Sequence, residues 1–176
     1  MRWKKTAGIA TSLIGSVLIL SGCGTYASTS TSSWMKIDAV KKTVILTVDE
    51  GYNSTNNYLN FNGYAHGQMT VTVPLGYKVT VKVTNESGIP AEFGIYNANN
   101  QLVFKGSGDS VAEILGNPSG GILPGESETL HFVANKPGDF KMANLIDRIP
   151  GKGQQANGMW DNFQVVSGGA PGVSGS

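Results

Sequence analysis

Apolar residues recur at every second position through the middle of the chain. Over residues 77–84, Tyr77, Val79, Val81 and Val83 share one face and Lys78, Thr80, Lys82 and Thr84 the other, the period of a strand with one buried and one wet side. Met69-Thr70-Val71-Thr72-Val73 alternates in the same way and stops at Pro74, which has no N–H to continue a ladder. Val44-Ile45-Leu46-Thr47-Val48 is a shorter β-branched run, and further strands are predicted over 92–96, 102–105, 128–134, 139–143 and 162–166. Turn sequences separate them: Asn85-Glu86-Ser87-Gly88, residues 97–100, Pro124-Gly125 and Lys136-Pro137-Gly138. Residues 111–115 fit either a single helical turn or an irregular strand, and no long 3.6-residue period or internal repeat is present. About eight short strands with regular turn punctuation predict an all-β fold, a two-sheet sandwich of the open Greek-key barrel kind.

The two ends break this pattern. Basic residues at Arg2, Lys4 and Lys5 precede an apolar stretch over 7–20 and then Leu20-Ser21-Gly22-Cys23, the parts of a secretory signal. The stretch is short and rich in small residues for a membrane span, which needs roughly 20 apolar residues. Leu-Ser-Gly-Cys resembles the bacterial lipobox, whose cysteine is acylated and becomes the first residue of the mature protein; an ordinary signal peptide ending in a chance cysteine is the competing reading. The expected organisation is a signal peptide over 1–22, an acylated Cys23 with a flexible Ser/Thr leash to residue 33, one domain over 34–167, and a disordered Gly/Ser tail over 168–176. The expected location is the extracytoplasmic face of the cell membrane, held there by the lipid.

Charge narrows the partners. Without the first 22 residues, ten basic side chains face twelve acidic ones, a balance that cannot neutralise many phosphates and so excludes nucleic acid. Only 14% of residues are charged, and the hydroxyls and amides that replace charges do not titrate, which points to an acidic surrounding.

Three stretches carry a family resemblance. They are Leu59-Asn60-Phe61-Asn62-Gly63-Tyr64 continuing through Gly67-Gln68-Met69-Thr70 to Val73-Pro74; Pro90-Ala91-Glu92-Phe93-Gly94-Ile95; and Ile149-Pro150-Gly151 with Gly158-Met159-Trp160-Asp161-Asn162-Phe163. Together they resemble sulfocyanin, a small blue-copper electron carrier, and more broadly the cupredoxins, over about residues 55–167. The resemblance implies a cupredoxin-like sandwich, copper as the family cofactor, and four ligands: a histidine after the Pro of the second stretch, then a cysteine, a histidine and a methionine late in the chain. A thiolate and two imidazoles with a weak axial thioether suit both copper oxidation states.

Carried onto this sequence, the first histidine position is Ala91. The cysteine position is Asn144 when counted from the end of the strand over 138–143, and Asp147 when counted back from Ile149. The second histidine position is Lys152, and the axial methionine survives as Met159. No cysteine follows Cys23. Met159, Met142, Met69 and His66 remain as weak copper donors, each read more simply as core packing or as a solvated turn residue. His131 reads as a hydrogen-bonded surface histidine. Asp49 and Glu50 are adjacent on a strand, so they face opposite ways and form no acid–base pair. Lys152, Arg148 and Asp147 read as a solvated loop. No phosphate loop and no G-x-S-x-G are present, and no enzyme activity is expected. The function expected is that of a membrane-anchored, sulfocyanin-like docking module without a working blue-copper centre, acting near respiratory or copper-handling partners. Its contact surface is expected at Ala91-Glu92, residues 144–152 and Met159-Trp160. The alternative is a copper-binding protein, by Met/His carriage or by blue-copper electron transfer.

Overall fold

The computed structural model describes residues 32–111, 120–146 and 153–175. Among them nine strands form, β1 (Met35–Asp38), β2 (Thr43–Glu50), β3 (Met69–Pro74), β4 (Lys78–Asn85), β5 (Gly94–Tyr96), β6 (Ser127–Val133), β7 (Gly138–Ala143), β8 (Trp160–Val166) and β9 (Gly172–Gly175). One sheet runs β1-β2-β4-β6 and the other β5-β7-β8-β3-β9. Both are mixed: β2 pairs parallel with β4, and β3 parallel with β8, while the other pairs are antiparallel.

The alternation read from the sequence is the reason for the sandwich. Val79, Val81 and Val83 of β4 are buried against Val44, Leu46 and Val48 of β2 and Val71 and Val73 of β3, while Lys78 and Lys82 stay exposed. Fully burying a Val or Leu side chain is worth about 1.5–3 kcal/mol, so a one-residue slip in register would expose the whole set. Phe104, Phe132, Phe140 and Phe163 fill one part of the core, with Phe104 stacked on Phe132 at 5.2 Å between ring centroids.

Three sequence expectations change. The strand predicted over 102–105 is a loop, tied to β5 by Val103 N–H to Ile95 O (3.0 Å) and Ile95 N–H to Ser107 O (3.1 Å). It bends because it must drop Phe104 into the core and then pass the edge of β6. There a Cβ on Gly106 would come within 2.2 Å of His131 O. The tail is not disordered: β9 adds to the edge of β3, with Val173 opposite Val71 and buried. An edge strand supplies the hydrogen-bonding groups, so one buried valine and small neighbours suffice. The strand β1 carried no sequence signal beyond Met35 and Ile37. Residues 112–115, the rest of the segment read as a helical turn or irregular strand, lie outside the described residues.

Candidate functional site

The loop from β7 to β8 and the segment between β4 and β5 meet at one end of the sandwich. As β7 ends, Asn144 N–H donates to Met159 O (3.2 Å), which closes the base of the loop. The side chain of Asn144 has no exposed surface. Its Nδ2 donates to Gln154 Oε1 (2.7 Å) and lies 3.3 Å from Met159 Sδ, and its Oδ1 accepts from Ile146 N–H (3.1 Å). Gln154 Nε2 in turn donates to Pro90 O (2.7 Å). Beside it Ala91 is fully buried, held by paired backbone bonds with Ile122. Two amide side chains therefore connect both segments and the thioether, and every polar atom of Asn144 has a partner, as a buried amide requires.

A layer of buried acids lies next to these amides. Glu92 Oε1 accepts from Leu145 N–H (2.7 Å) and Tyr96 OH (3.1 Å). Glu50, at the end of β2, has no exposed surface and no hydrogen bond to either carboxyl oxygen among the described residues. Burial, and then the charge of Glu92, push its pKa well above the ordinary carboxylate range. Burial likewise raises Tyr96, with Glu92 adding to it. Asp161, at the start of β8, accepts from Met69 N–H (3.0 Å), while its Oδ2 has no hydrogen bond among the described residues. Burial pushes its carboxyl up to about 7 against the opposing pull of the backbone N–H groups of Met69, Gln68 and Gly67.

The sequence profile of the sulfocyanin (SoxE) domain matches residues 30–171. The chain belongs to the sulfocyanin family. It is similar in structure to a multicopper oxidase from Campylobacter jejuni described as a metallo-oxidase (TM-score 0.51, 16% identity, 72% of this chain and 26% of that one). A second multicopper oxidase gives a TM-score of 0.50 at 18% identity, over 78% of this chain and 45% of that one. Both likenesses show the cupredoxin-like fold alone, and the chain spans less than half the length of either protein. No curated protein sequence matches it.

Sulfocyanins are copper proteins. Of the positions that the resemblance assigns to copper ligands, Ala91, Asn144 and Met159 are all buried at this end, and Asn144 Nδ2 lies 3.3 Å from Met159 Sδ. Lys152, Asp147 and Arg148 lie outside the described residues, as do Cys23 and the whole signal segment. Among the described residues no three His, Cys, Asp or Glu side chains cluster as a metal-holding group, and no helix is long and apolar enough to cross a membrane. Met69, Met142 and Met159 are all fully buried in the apolar core.

His66 is exposed but not merely solvated. Its ring lies over Gly158, where a Cβ would come within 2.1 Å, and its Nε2 pairs with Asn56 Oδ1 at 3.2 Å. Asn56 Nδ2 also donates to Asn157 O (2.7 Å), so this turn braces the loop that carries Met159. His131 pairs across strands with Thr80 Oγ1 (3.1 Å) on the outer face.

Within the expected contact surface, residues 147–152 lie outside the described residues; of the rest, Ala91, Glu92, Asn144 and Met159 are buried, and Leu145, Ile146 and Trp160 are half-buried. What this end presents is a hollow of about 270 Å³ lined by Ile89, Pro90, Ile146 and Gln154, with Ile89 about half exposed; Leu123, next to the Ile122 that bonds to Ala91, is about half exposed as well. Sequence reasoning missed Gln154 and the Glu50–Glu92 pairing. No local signal marks either, because each depends on segments more than 40 residues apart.

Proposed function

We propose that this sulfocyanin-family domain is a membrane-anchored, extracytoplasmic docking module that has lost the blue-copper centre of its family. One observation carries the reading: the Asn144 amide points its N–H₂ at Gln154 Oε1 and the Met159 thioether. A copper ion in that place needs lone pairs from a thiolate and imidazoles. Ala91 has no donor atom, Asn144 directs hydrogens at the thioether, and the sulfur of Met159 is already engaged. The residues do not fit the metal, and the amide bridge replaces its role in tying the loop to the rest of the barrel.

Copper carriage is the weaker reading, because the three methionines it needs have no exposed surface from which to hand over an ion. No catalytic role is proposed; the histidine with a hydroxyl neighbour, His131, lies with Thr80 in an open cross-strand pair of the kind that stabilises sheets. The docking face is the apolar rim of Ile89, Pro90, Leu123 and Ile146, and its partner a membrane redox or copper-handling protein. Cross-linking in native membranes tests this reading. The parent chain should join such a protein, and Ile89→Asp with Leu123→Asp should lose that adduct while remaining folded. An unchanged adduct, or none with the parent, contradicts the docking role.

A further inference from the structure

Two Asn-X-Ser/Thr triplets without proline at X occur in the chain, Asn53-Ser54-Thr55 and Asn85-Glu86-Ser87, and the fold treats them oppositely. Such a triplet is the acceptor signal for N-linked glycan in exported proteins, provided the asparagine is reachable. Asn85 is fully buried: Nδ2 donates to Ile89 O (2.8 Å) and Ile122 O (2.7 Å), and Oδ1 accepts from Ser87 N–H (2.9 Å) and Ser87 Oγ (2.6 Å). A sugar on Nδ2 would displace one of those buried bonds and open the core.

Asn53 is exposed on the loop that leaves β2, as are Ser54 and Thr55. Its Oδ1 accepts from Thr55 N–H (2.9 Å), an Asx turn, and its carbonyl oxygen accepts from Asn60 Nδ2 (2.9 Å). These bonds fix the backbone and the acceptor oxygen, while Nδ2 has no hydrogen bond among the described residues. The neighbour beneath Nδ2 is Gly63, where even a Cβ would come within 2.8 Å of it. Exposed Tyr52 and Tyr58 flank the triplet and offer ring faces to the CH faces of a sugar.

We propose that Asn53 is an N-glycosylation site and that Asn85 is not; this rests on the reading that the domain is exported. The transfer forms a bond between Asn53 Nδ2 and the anomeric carbon of a glycan carried on a polyprenyl phosphate or diphosphate. The anomeric C–O bond breaks, the lipid phosphate leaves with the electron pair, and Nδ2 gives up one proton to a base of the transferring enzyme.

Peptide mass mapping of the full protein from its own membranes tests the assignment. The Asn53 peptide should carry added hexose-type mass that is lost in Asn53→Gln and in Thr55→Ala, and the Asn85 peptide should carry none. Unmodified Asn53 in protein that external protease can reach on intact cells overturns the assignment, as does modification of Asn85 at equal occupancy. If protease cannot reach the protein, the export reading fails instead. The purified chain, mixed with membranes holding an oligosaccharyl transferase and its lipid-linked donor, then decides the matter. Labelling at Asn53 over Asn85 upholds the assignment, and its absence overturns it.

Discussion

Asp161→Asn should remove the pH dependence of stability that a buried acid imposes. Asp161 has no exposed surface, and burial pushes its carboxyl up to about 7 from an ordinary value of 3.8. A raised acid pKa means that the folded state holds its proton more tightly than the unfolded chain. The stability this gives is fully present below about pH 4 and is lost as the pH climbs through 7. Each pH unit of difference is worth about 1.4 kcal/mol, so deprotonation costs the parent about 4 kcal/mol by pH 8. An asparagine keeps Oδ1 as the acceptor for Met69 N–H and mimics the neutral acid. Thermal melts of parent and variant from pH 3 to pH 8, at constant ionic strength, should coincide near pH 3 and diverge progressively above about pH 4. The variant should be ahead by about 10 °C at pH 8, given about 2–4 °C per kcal/mol for a domain of this size. Asp49 and Glu50 are raised in the same direction by burial, so each adds to the loss of stability as the pH rises. A parent–variant difference that stays flat with pH would refute the reasoning.

Two further outcomes follow from the buried polar layer. Glu50→Gln should raise the melting temperature at pH 7 and leave it unchanged at pH 3, because it removes an ionisable group that burial and Glu92 disfavour in charged form; equal effects at both pH values would argue against a buried charge. Asn144→Ala removes the donor to Gln154 and Met159 and the acceptor for Ile146, at about 1–3 kcal/mol for each buried group left unpaired. The loss by denaturant unfolding should therefore be about 2–4 kcal/mol, and one below about 0.5 kcal/mol would show that the bridge is not structural.

Much of the fold is legible in local pattern because a strand buried on one side must alternate. The register of β4, with Val79, Val81 and Val83 inside, follows from sequence alone. Strands β1 and β9 are not legible in this way. Each has four residues and owes its conformation to the strand it joins, Val173 being buried only because β3 offers an edge. The loop over 102–105 fails for the opposite reason: its residues suit a strand, but inserting Phe104 into the aromatic cluster takes precedence. In the site, the resemblance leaves Asn144 and Asp147 both open as the cysteine position; Asn144 lies beside Met159, and Asp147 is outside the described residues. That Gln154 would complete the bridge is not legible, since one glutamine in a polar loop looks like any other. Glu50 could be assigned to the face opposite Asp49, yet its actual neighbour, Glu92, is brought by the fold from a different segment.

The most direct measurement is the visible spectrum of the purified protein during copper titration, with isothermal calorimetry in parallel. A copper–thiolate bond gives an intense band near about 600 nm. Closure of the site by Asn144, Gln154 and Met159 predicts no such band and no heat of binding at equimolar copper. A blue band would contradict the account outright, and colourless Cu(I) binding abolished by Met159→Leu would show that the amide bridge opens to admit the metal.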